Sequence, residues 1–173
     1  MLLLPFKFVI TMDSNEINIC AKQLRIHTFL GVFAADQLCN INKDDTGVFI
    51  CNTEASYESG QHWIGISLCP NKIIYFDSLN GRFHESSYMK KFIRRIDKDF
   101  LRNDIQIQTY NSDKCGIHSL VFCYVLCKKR DNMVFTRFLS SFAASHKIKD
   151  REKLSMNYFL LILPLQNGGY FRR

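Results

Sequence analysis

A chain of 173 residues, 47% hydrophobic and 13% aromatic, is long enough for one packed domain and too apolar to be a disordered one. Its net charge of +7 favours anionic partners such as nucleic acid and says nothing of fold. Seven cysteines, an odd number at irregular spacing, argue against a secreted disulfide framework and fit thiols kept reduced inside a cell.

The apolar start, Met1 to Met12, is shorter than the roughly 20 residues of a membrane span, and it lacks the basic region and small-residue cleavage site of a secretory signal. A packed strand, or an extension ahead of a true start at Met12, is expected there, and no membrane is expected as partner. Asp13-Ser14 with Glu16 reads as a helix start, followed by Ile17, Cys20, Ala21 and Leu24 at helical spacing over residues 13–24. Phe29 to Phe33 runs into a loop or short helical turn, and Gly47 to Asn52 is a short apolar strand. Trp63–Leu68 and Lys72–Phe76 flank Cys69-Pro70-Asn71-Lys72, a four-residue hairpin turn in which Pro70 suits the second position of a type I turn. Residues 84–102 read as a basic amphipathic helix, with Tyr88, Phe92, Ile93, Ile96 and Phe100 at helical spacing. Asp104–Tyr110 alternates like a half-buried strand, Gly116–Lys128 is apolar nearly all round like a helix buried in a core, and residues 131–145 give a last amphipathic helix. No repeat, low-complexity tract or linker divides the chain, so residues 1–173 are expected to form a single domain.

The hairpin places two polar residues together. A four-residue loop pairs Leu68 with Ile73 and therefore Ile64 with Asp77, which makes His62 the diagonal neighbour of Asp77 on one face of the sheet. A three-residue loop would put the two side chains on opposite faces. A carboxylate at Asp77 is expected to accept the Nδ1 proton of His62 and leave Nε2 outward as a base. Cys115 opens the buried helix, where unpaired backbone N–H groups and the positive end of the helix dipole favour a thiolate. Gly116 would leave room for a substrate to approach that thiol. The backbone N–H of Cys115 and the side-chain amide of Gln108 are candidate oxyanion donors. Each residue alone has an ordinary structural reading; together they supply the nucleophile, base, orienting acid and oxyanion hole of acyl transfer.

Five stretches carry a resemblance to a known family: Phe29–Phe33 with Asp36 and Leu38; Gly47–Asn52; Gly60-Gln61-His62-Trp63; Ile74–Ser78; and Gln108–Gly116. In these the chain resembles the adenovirus-type cysteine proteases (the adenain family) and the related proteases of Polinton/Maverick-type elements, which are distant relatives of the SUMO proteases. The resemblance covers roughly residues 16–128. It implies an α+β fold, a papain-like variant with a central mixed or antiparallel sheet and the nucleophile at the N-terminus of a buried helix. It also implies a monomeric thiol endopeptidase that cleaves viral or mobile-element precursor proteins at Gly-containing sites during maturation, in a host nucleus or virion. Catalytic roles fall on His62, Asp77 and Cys115, the oxyanion hole on Gln108 and Cys115, and Trp63 walls the site as a substrate contact beside Gly116. Two departures stand out. The acid is Asp77, as in the SUMO proteases, where adenoviral enzymes use Glu. No cysteine lies between Cys69 and Cys115, so the disulfide-linked peptide activator of the adenoviral enzymes has no counterpart residue here. DNA is the family's other activator, and Arg82, Lys90, Lys91, Arg94, Arg95, Lys98 and Arg102 offer a basic face for it.

Other readings compete. Cys115, His118, Cys123 and Cys127 lack the paired spacing of a zinc site, and no metal or other cofactor is required for the chemistry. His118 is a second candidate base, but it sits one turn into the helix of Cys115 and has no acid partner. A small-modifier protease, or a non-catalytic basic module binding DNA or protein, would share much of the same sequence. A Gly-Gly pair at Gly168-Gly169 reads equally as a self-processing site or a flexible tail.

Overall fold

The computed structural model describes residues 11–128 and 131–167, with residues 164–167 by their backbone alone. The apolar segment before Thr11 and the Gly168-Gly169 pair lie outside the described residues.

Five strands form one mixed sheet in chain order: β1 (Phe29–Phe33), β2 (Gly47–Asn52), β3 (Trp63–Leu68), β4 (Lys72–Phe76) and β5 (Asp99–Arg102). The two edge pairs, β1 with β2 and β4 with β5, are parallel, and the central pairs are antiparallel. Side chains alternate along the buried strands, which gives the sheet two apolar faces. Phe49, Ile64, Ile66, Ile73 and Tyr75 point to one face, under helix α2 (Ser87–Ile96) and a 3-10 turn at Ala35–Asn40. Val48, Ile50, Ile74 and Phe76 point to the other, where α1 (Ser14–Gln23), α3 (Cys115–Lys128), α4 (Asn132–Ala143) and α5 (Ile148–Asn167) close the larger core. The architecture is the α+β arrangement expected, with a mixed sheet and α3 packed through the core.

Local chemistry explains most boundaries. Asp13 and Glu16 form a capping box at the start of α1, each carboxylate accepting the other's backbone N–H at 2.8 and 2.9 Å. Gly31, at φ 130°, sits where the β1–β2 register shifts, a conformation open to glycine. The hairpin register is the one expected, with Leu68 opposite Ile73 and Cys69 N–H closing on Lys72 O at 2.9 Å. Gly65 lets α3 approach the sheet: a Cβ there would lie 2.5 Å from Cδ1 of Phe122.

Three expectations are corrected. The helix expected over residues 84–102 stops at Ile96, because Asp97 takes a left-handed conformation (φ 54°) and ends it. The chain then returns beside β4 as β5, and Phe100 reaches the α2 side of the core from a strand instead of from another helical turn. Asp104–Tyr110 is not a strand. Ile107 is fully buried, and the N–H groups of Ile107 and Gln108 both donate to Ser78 O, so the alternation reflects burial without a ladder. Finally, α5 has no counterpart among the expected elements. Its buried positions are Glu152, Ser155, Phe159 and Ile162, and the two polar ones hide the apolar stripe that marks a helix.

Candidate active site

The C-terminal end of β4, the residue preceding β3 and the first turn of α3 converge at one end of the sheet. His62 Nε2 donates to Asp77 Oδ1 at 2.7 Å, and Cys115 is the other group that acts on the same imidazole. The ring is thus turned opposite to the expectation, with Nε2 and not Nδ1 on the acid. The diagonal across a hairpin is long, and the far ring nitrogen spans it.

Asp77 is 1% exposed and heavily held. Oδ1 also accepts from Leu79 N–H at 2.9 Å and Oδ2 from Gly81 N–H at 3.0 Å. Glycine at residue 81 eases this approach, since a Cβ there would lie 3.0 Å from Oδ2. Asn103, which no sequence signal marks, fixes the backbone: its Oδ1 accepts from Asp77 N–H at 2.9 Å, and its Nδ2 donates to Asp77 O at 2.7 Å and to Ile105 O at 2.9 Å. The carboxylate is therefore set in place before it meets the histidine. Burial disfavours the charged imidazole of His62, but hydrogen bonds to Asp77 and Cys115, together with their charges, outweigh it and raise its pKa to about 9.

Cys115 is the first residue of α3 and 6% exposed. His118 N–H donates to Lys114 O at 3.1 Å, so the backbone N–H groups of Cys115, Gly116 and Ile117 precede the helix's own bonding. Gln108 stands close by, fully fixed. Its Oε1 accepts from Ser78 Oγ at 2.6 Å, its backbone N–H donates to Ser78 O at 2.9 Å, and one side-chain N–H donates to Ser112 O at 2.5 Å. A primary amide carries two N–H groups, which leaves the second for a substrate. Ser78 is the neighbour of Asp77, so consecutive residues anchor the acid and the glutamine.

His62, Gln108 and Cys115 line one groove of about 940 Å³, with Trp63, Gln61 and Tyr110 among its walls. Asp77 lies beneath it. Trp63 donates its indole N–H to Met12 O at 2.8 Å, which draws the segment before α1 along the groove. Five carboxylates, Asp13, Glu16, Glu54, Glu58 and Asp113, line the groove, and among the described residues no Lys or Arg does. Gly116 does not line it. A Cβ at Gly116 would meet Met12, Trp63 and Ile17 at 3.1–3.5 Å, so its missing side chain serves the packing of α3 against the N-terminal segment.

His118 is fully buried, with Nδ1 2.8 Å from Ser155 Oγ. Burial lowers its pKa to about 4, against the opposing charge of Glu152, with Lys114 and His62 adding to the fall. It is neutral and outside the groove. Cys123 donates to Phe49 O inside the core. Among the described residues no three His, Cys, Asp or Glu side chains converge as metal ligands would.

The basic face is smaller than its sequence. Arg95 donates to Ile41 O and, at 2.6 Å, to Leu38 O; Arg82 pairs with Glu85 at 3.1 Å; Arg102 donates to Asn80 Oδ1 at 3.2 Å. Lys90, Lys91 and Arg94 remain exposed along α2.

No protein-family model matches the chain, and no curated protein matches it. Among solved structures the chain is similar to AvrA, in a delL154 form with IP6 and CoA, at 16% identity and a TM-score of 0.44. The alignment covers 66% of this chain and 47% of that one, so the chain spans about half of that protein's length.

Proposed function

We propose that the chain is a cysteine endopeptidase of the adenovirus-protease type, and that Cys115, His62 and Asp77 form its catalytic triad. The observation that carries the reading is the 2.7 Å bond from a groove-lining imidazole to a buried, backbone-anchored carboxylate, with a helix-initial thiol on the same ring.

The mechanism follows from the atoms in place. The thiolate of Cys115 attacks the scissile carbonyl carbon while His62 holds the proton. The carbonyl oxygen gains charge and is received by the Cys115 N–H and the second N–H of Gln108. Collapse of the tetrahedral intermediate breaks the C–N bond, and His62 gives its proton to the departing amine, leaving a thioester on Cys115. His62, now neutral, takes a proton from water; the hydroxide adds to the thioester and the acid product leaves with the thiolate restored. Asp77 keeps the ring in the plane that serves both transfers. Nothing in this scheme needs a metal.

The substrates are proteins, read as viral or mobile-element precursors cut at Gly-containing sites. The acidic groove favours segments carrying Lys or Arg beside the cut. The exposed part of α2, with Lys90, Lys91 and Arg94, is the surface for DNA as an activator. The test is hydrolysis of fluorogenic Leu-X-Gly-Gly peptides by wild type and Cys115→Ala, with and without DNA, beside the alkylation rate of Cys115 at pH 7. Cleavage lost in the variant supports the reading. Silence with slow alkylation would turn it toward a binding module, and cleavage of ubiquitin-like conjugates alone toward a small-modifier protease.

A further inference from the structure

Between β5 and α3 runs a stretch, residues 103–114, that belongs to no ladder and yet carries Gln108 and leads to Cys115. On its inner side it is held by Ser78. On its outer side it is held by one turn of α5. Arg151 donates through Nη1 to Gln106 O at 2.9 Å and through Nε to Ser145 O at 2.8 Å. Glu152 Oε2 accepts from Thr109 Oγ1 at 2.8 Å, and its Oε1 faces Lys114 Nζ at 4.0 Å. Ser155, one turn on, meets His118 of α3 at 2.8 Å.

Glu152 is 8% exposed and takes no part in the triad. A buried carboxylate is costly unless it is partnered, and its partners Thr109 and Lys114 both come from the loop between the oxyanion glutamine and the nucleophile. Thr109 is the joint: its hydroxyl is held by Glu152, and it directly follows Gln108 in the chain. Removing the charge at Glu152 loosens Thr109, and with it the direction of the Gln108 N–H.

We infer that α5 sets the oxyanion side of the site, with Glu152 as a positioning residue that orients Gln108 through Thr109. The inference rests on the reading of Gln108 and Cys115 as oxyanion donors, and the experiment keeps the two separable. Wild type, Glu152→Gln and Glu152→Ala are compared by hydrogen exchange, by alkylation of Cys115 with iodoacetamide, and by kcat and KM on the peptide above. Alkylation makes no oxyanion, so it reads the thiol and the base alone.

In Glu152→Gln, amides of residues 106–116 should exchange about tenfold faster or more while those of β3 and β4 keep their rates. Alkylation should change by less than about threefold, whereas kcat falls roughly 10- to 100-fold with KM little altered. Glu152→Ala should do the same more severely. Unchanged exchange over residues 106–116 overturns the inference whatever the activity. So does a parallel fall of kcat and alkylation, which would mean that Glu152 supports the thiol and base, or faster exchange across the whole sheet, which would make it a general stabiliser. If the wild type cleaves no peptide while the exchange effect stays local, the peptidase reading fails and the clamp on the loop stands.

Discussion

Replacing Asp77 with Asn changes one atom and the charge, and the structure states what that does. Oδ1 accepts from His62 Nε2 and Leu79 N–H, and Oδ2 accepts from Gly81 N–H. An amide NH₂ placed at either position faces a donor, so no rotamer of Asn satisfies the site. The His62 pKa of about 9 should fall toward its ordinary 6.5 once the carboxylate that opposes burial is gone. At pH 7.5 a histidine of pKa 9 is about 97% protonated and one of pKa 6.5 about 9%, so the variant loses most of its imidazolium.

The same shift is a stability statement. His62 has a folded-state pKa above its unfolded value, so its contribution is full below about pH 6.5 and is lost as the pH rises through about 9. A shift of that size corresponds to on the order of 3 kcal/mol. Chemical denaturation of wild type and Asp77→Asn at pH 6 and pH 9.5 isolates it, because other titrating groups are common to both. The variant should be less stable at both pH values, and the gap should be wider at pH 6 by about 1–3 kcal/mol. NMR titration of the His62 ring should show the fall in pKa directly. An unchanged His62 pKa in the variant, or a gap independent of pH, would refute the reasoning.

Cleavage by the wild type should decline above about pH 9 as His62 loses the proton it gives to the leaving amine, measured as kcat across pH 7–10.5. Gly65→Ala forces a methyl to within 2.5 Å of Phe122, a ring stacked on Phe76 at 5.1 Å, and should cost about 1–3 kcal/mol in denaturant unfolding. Arg94→Ala should leave stability within about 0.5 kcal/mol but lower the salt slope of DNA binding, whereas Arg95→Ala should cost about 1–3 kcal/mol by stranding the carbonyl of Ile41 and leaving that of Leu38 with only the Ile41 N–H.

How far the sequence speaks depends on the range of the interaction. The hairpin is local: four residues of turn chemistry set the Leu68–Ile73 register, and that register brings His62 and Asp77 to one edge. The start of α3 is equally readable, since Cys115 precedes a run buried on nearly every side. The choice of ring nitrogen is not, because it depends on where Asp77 ends up after Leu79 and Gly81 have bound it. Asn103 leaves no trace at all: it acts on a residue 26 positions away through backbone groups that any sequence possesses. The false strand at Asp104–Tyr110 and the missed α5 are two sides of one fact. Residues 103–114 are held by side chains of α5 and by Ser78, and a stripe that contains Glu152 and Ser155 does not look like the buried face of a helix.

The acid and the oxyanion side of the site are joined through the covalent chain, and this joint is open to a direct test. Asp77 holds His62, while Ser78 holds Gln108 two ways and its neighbour Ile107 once: by its hydroxyl to Gln108 Oε1 at 2.6 Å, and by its carbonyl to the N–H groups of Ile107 and Gln108. Ser78→Ala removes only the hydroxyl. The two carbonyl bonds survive, so the loop should stay in place and the loss of stability should be about 1–3 kcal/mol, that of one buried acceptor left without a donor. Gln108 Oε1 then has no donor to face, and the amide, held only by its N–H on Ser112 O, loses its fixed direction toward the place where the oxyanion forms. The expected result is a fall in kcat of roughly 10- to 100-fold with the His62 pKa unmoved, since Asp77 and its three acceptor bonds are untouched. A shift of the His62 pKa in Ser78→Ala would mean that the two halves are not independent below the backbone, and that the glutamine also helps to place the acid.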